Sequence, residues 1–320
     1  MSNSPSNQSG HDYVATTALT VAMLLWGTSF AAIKIALDGY QPIVMTFGRM
    51  TIGFVTLLPF SVHWKKKVEY KRGDWKIFLL LVLSEPCLYF LFETYALRYT
   101  TASEAGLVTS LLPLLVAISA WFVFKERLGL MAWIGFFLAL AGVIWLTLAG
   151  VGVEQESAPN SLLGNSLEFC AMVAATSYTL CVRRLSNYPA FLIAAVQAFG
   201  GMCFFGILLF VFPSHLPENF PLAPTLATVY LGVVITTGAY GLFNVGIARL
   251  GAGRGAAWTN LLPVSTLFFS FLYLGERLTR WQYVAIIPIL AGVVLSQITP
   301  KRSKKNPGSG PSQAPARISE

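Results

Sequence analysis

Residues 110–113 read Ser-Leu-Leu-Pro, and residues 260–263 read Asn-Leu-Leu-Pro. Each motif sits inside a long apolar run, and the likeness spreads outward from it. Glu126-Arg127-Leu128 returns as Glu276-Arg277-Leu278, and Ala141-Gly142-Val143 returns as Ala291-Gly292-Val293, all at an offset of 150 positions. Upstream, Tyr89-x-Leu91-Phe92 and Arg98 match Tyr240-x-Leu242-Phe243 and Arg249 at an offset of 151. Thr28-Ser29-Phe30 is echoed by Thr176-Ser177-Tyr178 at 148. One pair would carry little weight in apolar sequence, but a shared register over several segments marks an internal duplication.

The solvent of the repeated unit is lipid. Of 320 residues, 55% are hydrophobic and only 11% charged, and the mean hydropathy is +0.63. A water-soluble chain carries about a quarter of its residues as charges. The charges here gather between apolar runs of about 20 residues, the length a helix needs to cross a hydrocarbon core. Spans are expected near 14–37, 42–61, 76–97, 102–123, 130–149, 161–182, 189–212, 225–247, 252–274 and 281–299. Pro42 and Pro189 begin spans, where a missing N–H costs little. Pro86, Pro113, Pro263 and Pro288 fall within spans and predict kinks that free backbone carbonyls.

A net charge of +8 would point to nucleic acid in a soluble protein. Here most of the basic residues lie in short connections and the C-terminal tail, and so serve as an orientation signal. With both ends cytoplasmic, the inner side receives Lys65, Lys66, Lys67, Lys71, Arg72 and Lys76, then Lys125, Arg127, Arg183, Arg184, Arg249 and Arg254, and the tail. Only Arg98, Arg277 and Arg280 fall outside, which follows the positive-inside rule. Cys87, Cys170, Cys181 and Cys203 lie inside apolar runs with neither disulfide nor zinc spacing, and read as packing residues. The first apolar run is too long for a signal-peptide core, so the first span is expected to remain.

The expected organisation is a cytoplasmic segment 1–13, a first repeat 14–149, an extracytoplasmic linker 150–160, a second repeat 161–299 and a disordered basic tail 300–320. Each repeat holds five spans. An odd number inserts the second copy from the opposite face, giving an all-α membrane protein of ten helices in two inverted five-helix repeats. Such repeats place a substrate site near the bilayer midplane, at the interface between halves that rock against each other.

Trp26-Gly27-Thr28-Ser29-Phe30 running to Lys34, Ala96-Leu97-Arg98-Tyr99-Thr100-Thr101-Ala102, Leu112-Pro113 followed by Glu126-Arg127-Leu128, and Ala141-Gly142 resemble the EamA family of the drug/metabolite transporter superfamily in order and spacing. The resemblance covers residues 14 to 299, with one unit in each copy. It implies a five-plus-five inverted-repeat fold, a central cavity lined mainly by spans 1, 3, 4, 6, 8 and 9, and frequent roles in exporting amino acids or related metabolites. The family is broad in cargo, so the likeness speaks more to architecture than to substrate.

The ionisable residues within spans are Lys34, Arg49, Glu85, Glu93 and Glu168. A charged group at a helix centre costs about 2.5–3.5 kcal/mol on insertion scales, so such residues face a cavity or a partner. Glu85 stands near the middle of span 3 before Pro86, with Tyr89 and Glu93 following at one-turn intervals on that face. It is the first candidate for coupling proton movement to transport or for holding a substrate amine; a neutral Glu bonded to a neighbouring helix is the alternative. Glu93 and Glu168 lie nearer the outer surface. Arg49 could neutralise a carboxylate or serve as a structural partner, and Lys34 is placed to snorkel. Neutral candidates for the cavity wall are Trp26, Thr28, Ser29, Ser110, Tyr178, Tyr240, Asn244, Trp258 and Asn260, with aromatic faces suited to a cation or a flat side chain. Ser110 and Asn260 rank highest because they occupy matching positions three residues before the span prolines. Glu126 and Glu276 read as interfacial ion pairs with Arg127 and Arg277.

These features fit a secondary transporter, an exporter of a small zwitterionic, cationic or aromatic metabolite, with an exchanger or importer of the same fold as the alternative. No cofactor is expected. The Gly251-Ala252-Gly253-Arg254-Gly255 stretch lacks a preceding strand and a following Lys-Ser/Thr, so it reads as a close approach of helix ends and not as a phosphate loop. His11, His63 and His215 form no catalytic or metal-binding motif, which disfavours an embedded enzyme. A channel would call for a ring of like residues around a multimer pore, whereas the two-fold repeat suits a monomeric cavity. Cell-membrane location with cytoplasmic termini completes the expectation.

Overall fold

The computed structural model describes residues 12–60, 70–124, 129–150, 158–212, 219–250 and 257–296. The expected N-terminal segment before Asp12, Lys65 to Lys67, Lys125 to Arg127, most of the linker 150–160, the Gly251–Gly255 stretch and the tail 300–320 lie outside these residues. Among the described residues the chain forms ten helical rods. The first half holds α1 (Tyr13–Leu37), α2 (Pro42–Leu57), α3 (Asp74–Tyr99), α4 (Ala102–Val108 and Leu112–Phe124) and α5 (Leu130–Gly150). The second half holds α6 (Ser161–Arg184), α7 (Ala190–Val211), α8 (Leu222–Leu250), α9 (Leu261–Leu274, entered through a 3-10 turn at Ala257–Asn260) and α10 (Arg280–Ser296).

Seven of the rods are long and apolar enough to cross a membrane, and α9 and α10 are shorter apolar helices. The remaining rod, α6, has 24 residues but carries Asn165 and Glu168 among small polar side chains. The outer surface confirms lipid as the solvent. Phe122, Phe137, Leu148, Phe210, Phe268 and Ile287 point outward while Arg49, Glu85, Glu93 and Glu168 are buried, the reverse of a chain that folds in water. Cys87 and Cys181 pack inside; Cys170 and Cys203 face outward, so only two of the four cysteines have the expected packing role.

Successive rods run in opposite directions, and contacts at the two ends register this alternation. At one end Arg249 of α8 pairs with Asp12 at 3.4 Å, and the Tyr188 hydroxyl donates to Asp74 at 2.6 Å. At the other, Asn160 N–H donates to the Tyr99 carbonyl at 3.0 Å, and Tyr40 and Thr225 share a hydroxyl bond of 2.5 Å. At this second end Glu276 departs from the expected ion pair with its neighbour. Its two carboxylate oxygens accept the N–H groups of Ala102 and Ser103 at 2.9 and 2.8 Å. A helix start offers free N–H donors and a partial positive charge, so a carboxylate from the α9–α10 connection locks onto α4 across the two halves.

Three of the four span prolines mark a change of helix type. Pro86 lies in a π-helical segment, Leu83–Leu88, and Pro113 and Pro263 stand in the first turn of the α-helices that follow 3-10 turns at Thr109–Leu111 and Ala257–Asn260. Pro288, by contrast, stays inside a continuous α-helix. A second π segment, Leu231–Ala239 in α8, has no proline. There the hydroxyl of Thr236 donates to the Leu231 carbonyl five residues back at 3.0 Å, meeting the backbone acceptors of the wider turn.

Candidate functional site

The break in α3 follows from its sequence. A residue before proline avoids helical backbone angles, and Glu85 takes φ −146, ψ 116 inside an otherwise helical rod. The Glu85–Pro86 peptide is cis. Glu85 lies against the centre of the bundle, where the Tyr240 hydroxyl of α8 donates to its carboxyl Oε1. One residue from each half is thereby joined at mid-depth. Tyr89, one turn on, does not bond Glu85: its hydroxyl donates to Glu93 Oε1 at 2.6 Å.

Glu93 also receives Arg49. The guanidinium Nη1 stands 3.8 Å from Glu93 Oε2, and both side chains are 3% exposed. Arg49 Nε donates to Thr236 Oγ1 at 3.1 Å, and its Cζ lies 4.0 Å above the centre of the Phe90 ring. A guanidinium tolerates such surroundings because it is planar, weakly hydrated and able to stack. A buried ion pair needs further hydrogen bonds to offset its desolvation, and Thr236 and Tyr89 provide them.

Between these groups lies a cavity of about 50 Å³. The first half lines it with Trp26, Ser29 and Phe30 of α1, Arg49 of α2, Glu85, Tyr89 and Glu93 of α3, and Leu112 of α4. The second half contributes Met172, Ala175, Tyr178 and Thr179 of α6, Tyr240 and Phe243 of α8, and Thr259 and Leu262 of α9. The spans implied by the family resemblance are all present, and α2 joins them through Arg49. Trp26 meets Tyr240 edge-on with ring centres 5.1 Å apart and Phe243 at 4.8 Å, so the wall has an aromatic corner.

The remaining sequence candidates stand outside this wall. The Thr28 hydroxyl bonds the Leu25 carbonyl at 2.6 Å and the Tyr230 hydroxyl at 2.5 Å. Asn244 receives the Tyr178 hydroxyl at 3.3 Å and donates to the Ala190 carbonyl. Trp258 packs on the core at the start of α9, while Thr259 beside it reaches the cavity. Ser110 Oγ and Asn260 Oδ1 are buried without a hydrogen-bond partner among the described residues, away from the wall. Glu168 is fully buried and is absent from the cavity lining. Lys34, in the last turn of α1, stands in the field of Glu276, Asp38 and Glu104.

Sequence reasoning passed over Glu104, a buried acid with complete bonding. Its oxygens take Asn165 Nδ2 and Gln282 Nε2, each at 2.8 Å, with the Thr100 and Ser161 hydroxyls at 3.1 and 3.4 Å. It knits α3, α4, α6 and α10 together near the end where Glu276 locks onto α4. Its place at the third position of a helix start, after Thr101, is a capping signature that could have flagged it.

A helical membrane bundle built from two copies of one unit, with a polar and aromatic chamber between them, defines the class of two-repeat membrane transporters. The profile of the EamA-like transporter family matches this chain twice, over residues 15–148 and 162–297, and the chain belongs to that family. It is not an enzyme. Among its relatives, the uncharacterized transporter YcxC of Bacillus subtilis is 30% identical over 88% of this chain and 92% of its own length. The uncharacterized transporter YetK of the same organism is 29% identical over 92% and 90%. A solved crystal structure superposes with a TM-score of 0.64 at 22% identity, covering 89% of this chain and 98% of its own, a likeness of fold.

Proposed function

We propose that this transporter is a secondary exporter of a small zwitterionic, cationic or aromatic metabolite, working by alternating access in the cell membrane with both termini cytoplasmic. The observation that carries this reading is the chamber at the junction of the halves, where Glu85 and Tyr240 meet. At about 50 Å³ it is smaller than the about 300–1,000 Å³ usual for small-molecule sites, so in this reading the halves must part to admit cargo. The rings of Trp26, Tyr89, Tyr178 and Tyr240 suit an ammonium group or a flat side chain, Glu85 offers it a counter-charge, and Arg49 can face a carboxylate. Because Glu85 is held by a residue of the opposite half, rocking of the halves would alter its surroundings, which makes it the coupling residue of this reading.

Metabolites released to the medium, compared in cells with and without the protein, identify the cargo and its direction. In reconstituted vesicles loaded with that cargo, Glu85→Gln is expected to abolish the pH dependence of transport while the protein still inserts and folds. PH dependence equal to that of the parent chain removes Glu85 from the coupling role. Accumulation of cargo inside expressing cells would favour the importer reading.

A further inference from the structure

The buried acids of this chain differ in what they are given. Glu85 has the Tyr240 hydroxyl, Glu93 has Tyr89 and Arg49, Glu104 has two amides and two hydroxyls, and Glu276 has two backbone N–H groups. Glu168 of α6 has 0% exposure, and neither carboxyl oxygen has a hydrogen-bond partner among the described residues. A carboxylate in that position would carry a full charge with nothing to replace its hydration, a far larger penalty than a neutral polar group suffers.

We infer that Glu168 is a proton-carrying site of its own, set off the lining of the cargo chamber and linked to it through Glu93. This deepens the transporter reading, since it gives the chain a second place where a proton can be loaded. Charge balance favours it. Around the chamber Arg49 brings one positive charge to three carboxyls, and Glu93 already holds that charge. The others need protons or external cations. Cargo does not reach Glu168, which is absent from the cavity lining. A metal ion is a poor fit, because Ca²⁺ or Mg²⁺ wants about six oxygen ligands, and the described residues hold no group of three or more His, Cys, Asp or Glu placed to bind one. A proton needs neither room nor ligands.

The link to Glu93 is physical. Glu168 feels the Glu93 carboxylate electrostatically, and α6 packs against the part of α3 that carries it. Glu93 Oε2 also lacks a hydrogen bond and relies on Arg49 at 3.8 Å. Of the other groups on helices packed against α6, Tyr89 is engaged with Glu93, Glu85 and Tyr240 with each other, and Glu104 with its amides. Asp74, Lys76 and Arg249 stand at the far end of the bundle, Arg98 is exposed at the near end, and α5 contributes no charged side chain. A shift of Arg49 away from Glu93, as when it meets a cargo carboxylate, would leave the Glu93 charge uncompensated, and Glu168 would then hold its proton more firmly.

The test uses the full chain in lipid nanodiscs and needs no cargo. Dicyclohexylcarbodiimide reacts with protonated carboxyls in apolar surroundings, and peptide mapping by mass spectrometry across a pH series locates the adduct. Glu168 is expected to be labelled at neutral pH and to lose labelling as pH rises, and in Glu93→Gln that loss is expected at lower pH. The infrared band of protonated carboxyls, compared between the parent chain and Glu168→Gln, reads the same proton where the reagent cannot enter. No adduct together with an unchanged band overturns the proposal. Labelling indifferent to both pH and Glu93→Gln also overturns it, by making Glu168 a fixed neutral packing group. Both readouts are specific to Glu168, so they stand apart from the Glu85→Gln transport result.

Discussion

The two halves place different chemistry on matching positions. In the first, Arg49 faces Glu93. At offsets of 148 and 151 the second half has Gln197 and Asn244, and the Tyr178 hydroxyl lies 3.3 Å from an acceptor oxygen of each. Glu85 is matched by Thr236, which accepts from Arg49. The packing, however, is shared. A Cβ on Gly53 of α2 would collide with Thr236 of α8, and one on Gly201 of α7 would collide with Pro86 of α3, the same pairing of helices with the halves exchanged and the contact moved by one residue. Duplication has been kept where backbones touch and at wall positions such as Tyr89 and Tyr240 or Leu112 and Leu262, and abandoned at the charged groups. Helix packing in lipid depends on small residues that let backbones approach, whereas a binding chamber needs unequal walls.

Turning the charged pair into its neutral counterpart is the sharpest way to break this comparison. Arg49→Gln strands Glu93 in the interior and is expected to cost about 3–5 kcal/mol. Arg49→Gln with Glu93→Asn copies the second half and should recover more than half of that loss, while transport stays impaired. Thermal unfolding in detergent measures both. Equal destabilisation by the single and double variants would mean that the ion pair does not distinguish the halves.

A milder change tests the part that is held in common. Gly53→Ala and Gly201→Ala each force a methyl group into a tight helix contact, and each is expected to cost about 1–3 kcal/mol. Loss of stability at one position alone would show that the two contacts are not equivalent. A further pair of variants separates the tyrosines, and Tyr178→Phe is expected to have the smallest effect of all. Tyr89→Phe removes a hydrogen bond to a charged partner and should cost about 1.5–3 kcal/mol, against about 0.5–1.5 for Tyr178→Phe, whose partners are neutral. The same unfolding measurement ranks them, and the reverse order would contradict the assigned charge asymmetry.

The helical rods were legible in the sequence because lipid forces every buried N–H and C=O to be met within a segment, and that demand leaves long apolar runs. The break at Glu85 was legible too, through Pro86. The π segment of α8 was not, since threonines and glycines are common in membrane helices and only a five-residue back-bond gives the wider turn away. Among the site candidates, helical period gathered Glu85, Tyr89 and Glu93 on one rod. It could not say that Glu85 would turn to Tyr240 while Tyr89 served Glu93. Ser110 and Asn260 matched each other perfectly as repeat positions and still lie off the cavity wall, because symmetry relates backbones and does not require a residue to face the centre.

The sequence by itself determined the solvent, the helical rods and the duplication, since these rest on apolar length and internal register, which are local properties of the chain. Only the tertiary structure decided that Arg49 joins the chamber, that Glu276 locks onto α4 instead of its neighbour, and that Glu168 stands off the cavity lining without a partner among the described residues. The reason is geometric. A period of 3.6 residues fixes which side of its own helix a residue occupies, and the identity of the helix that covers that side is settled when all the rods pack.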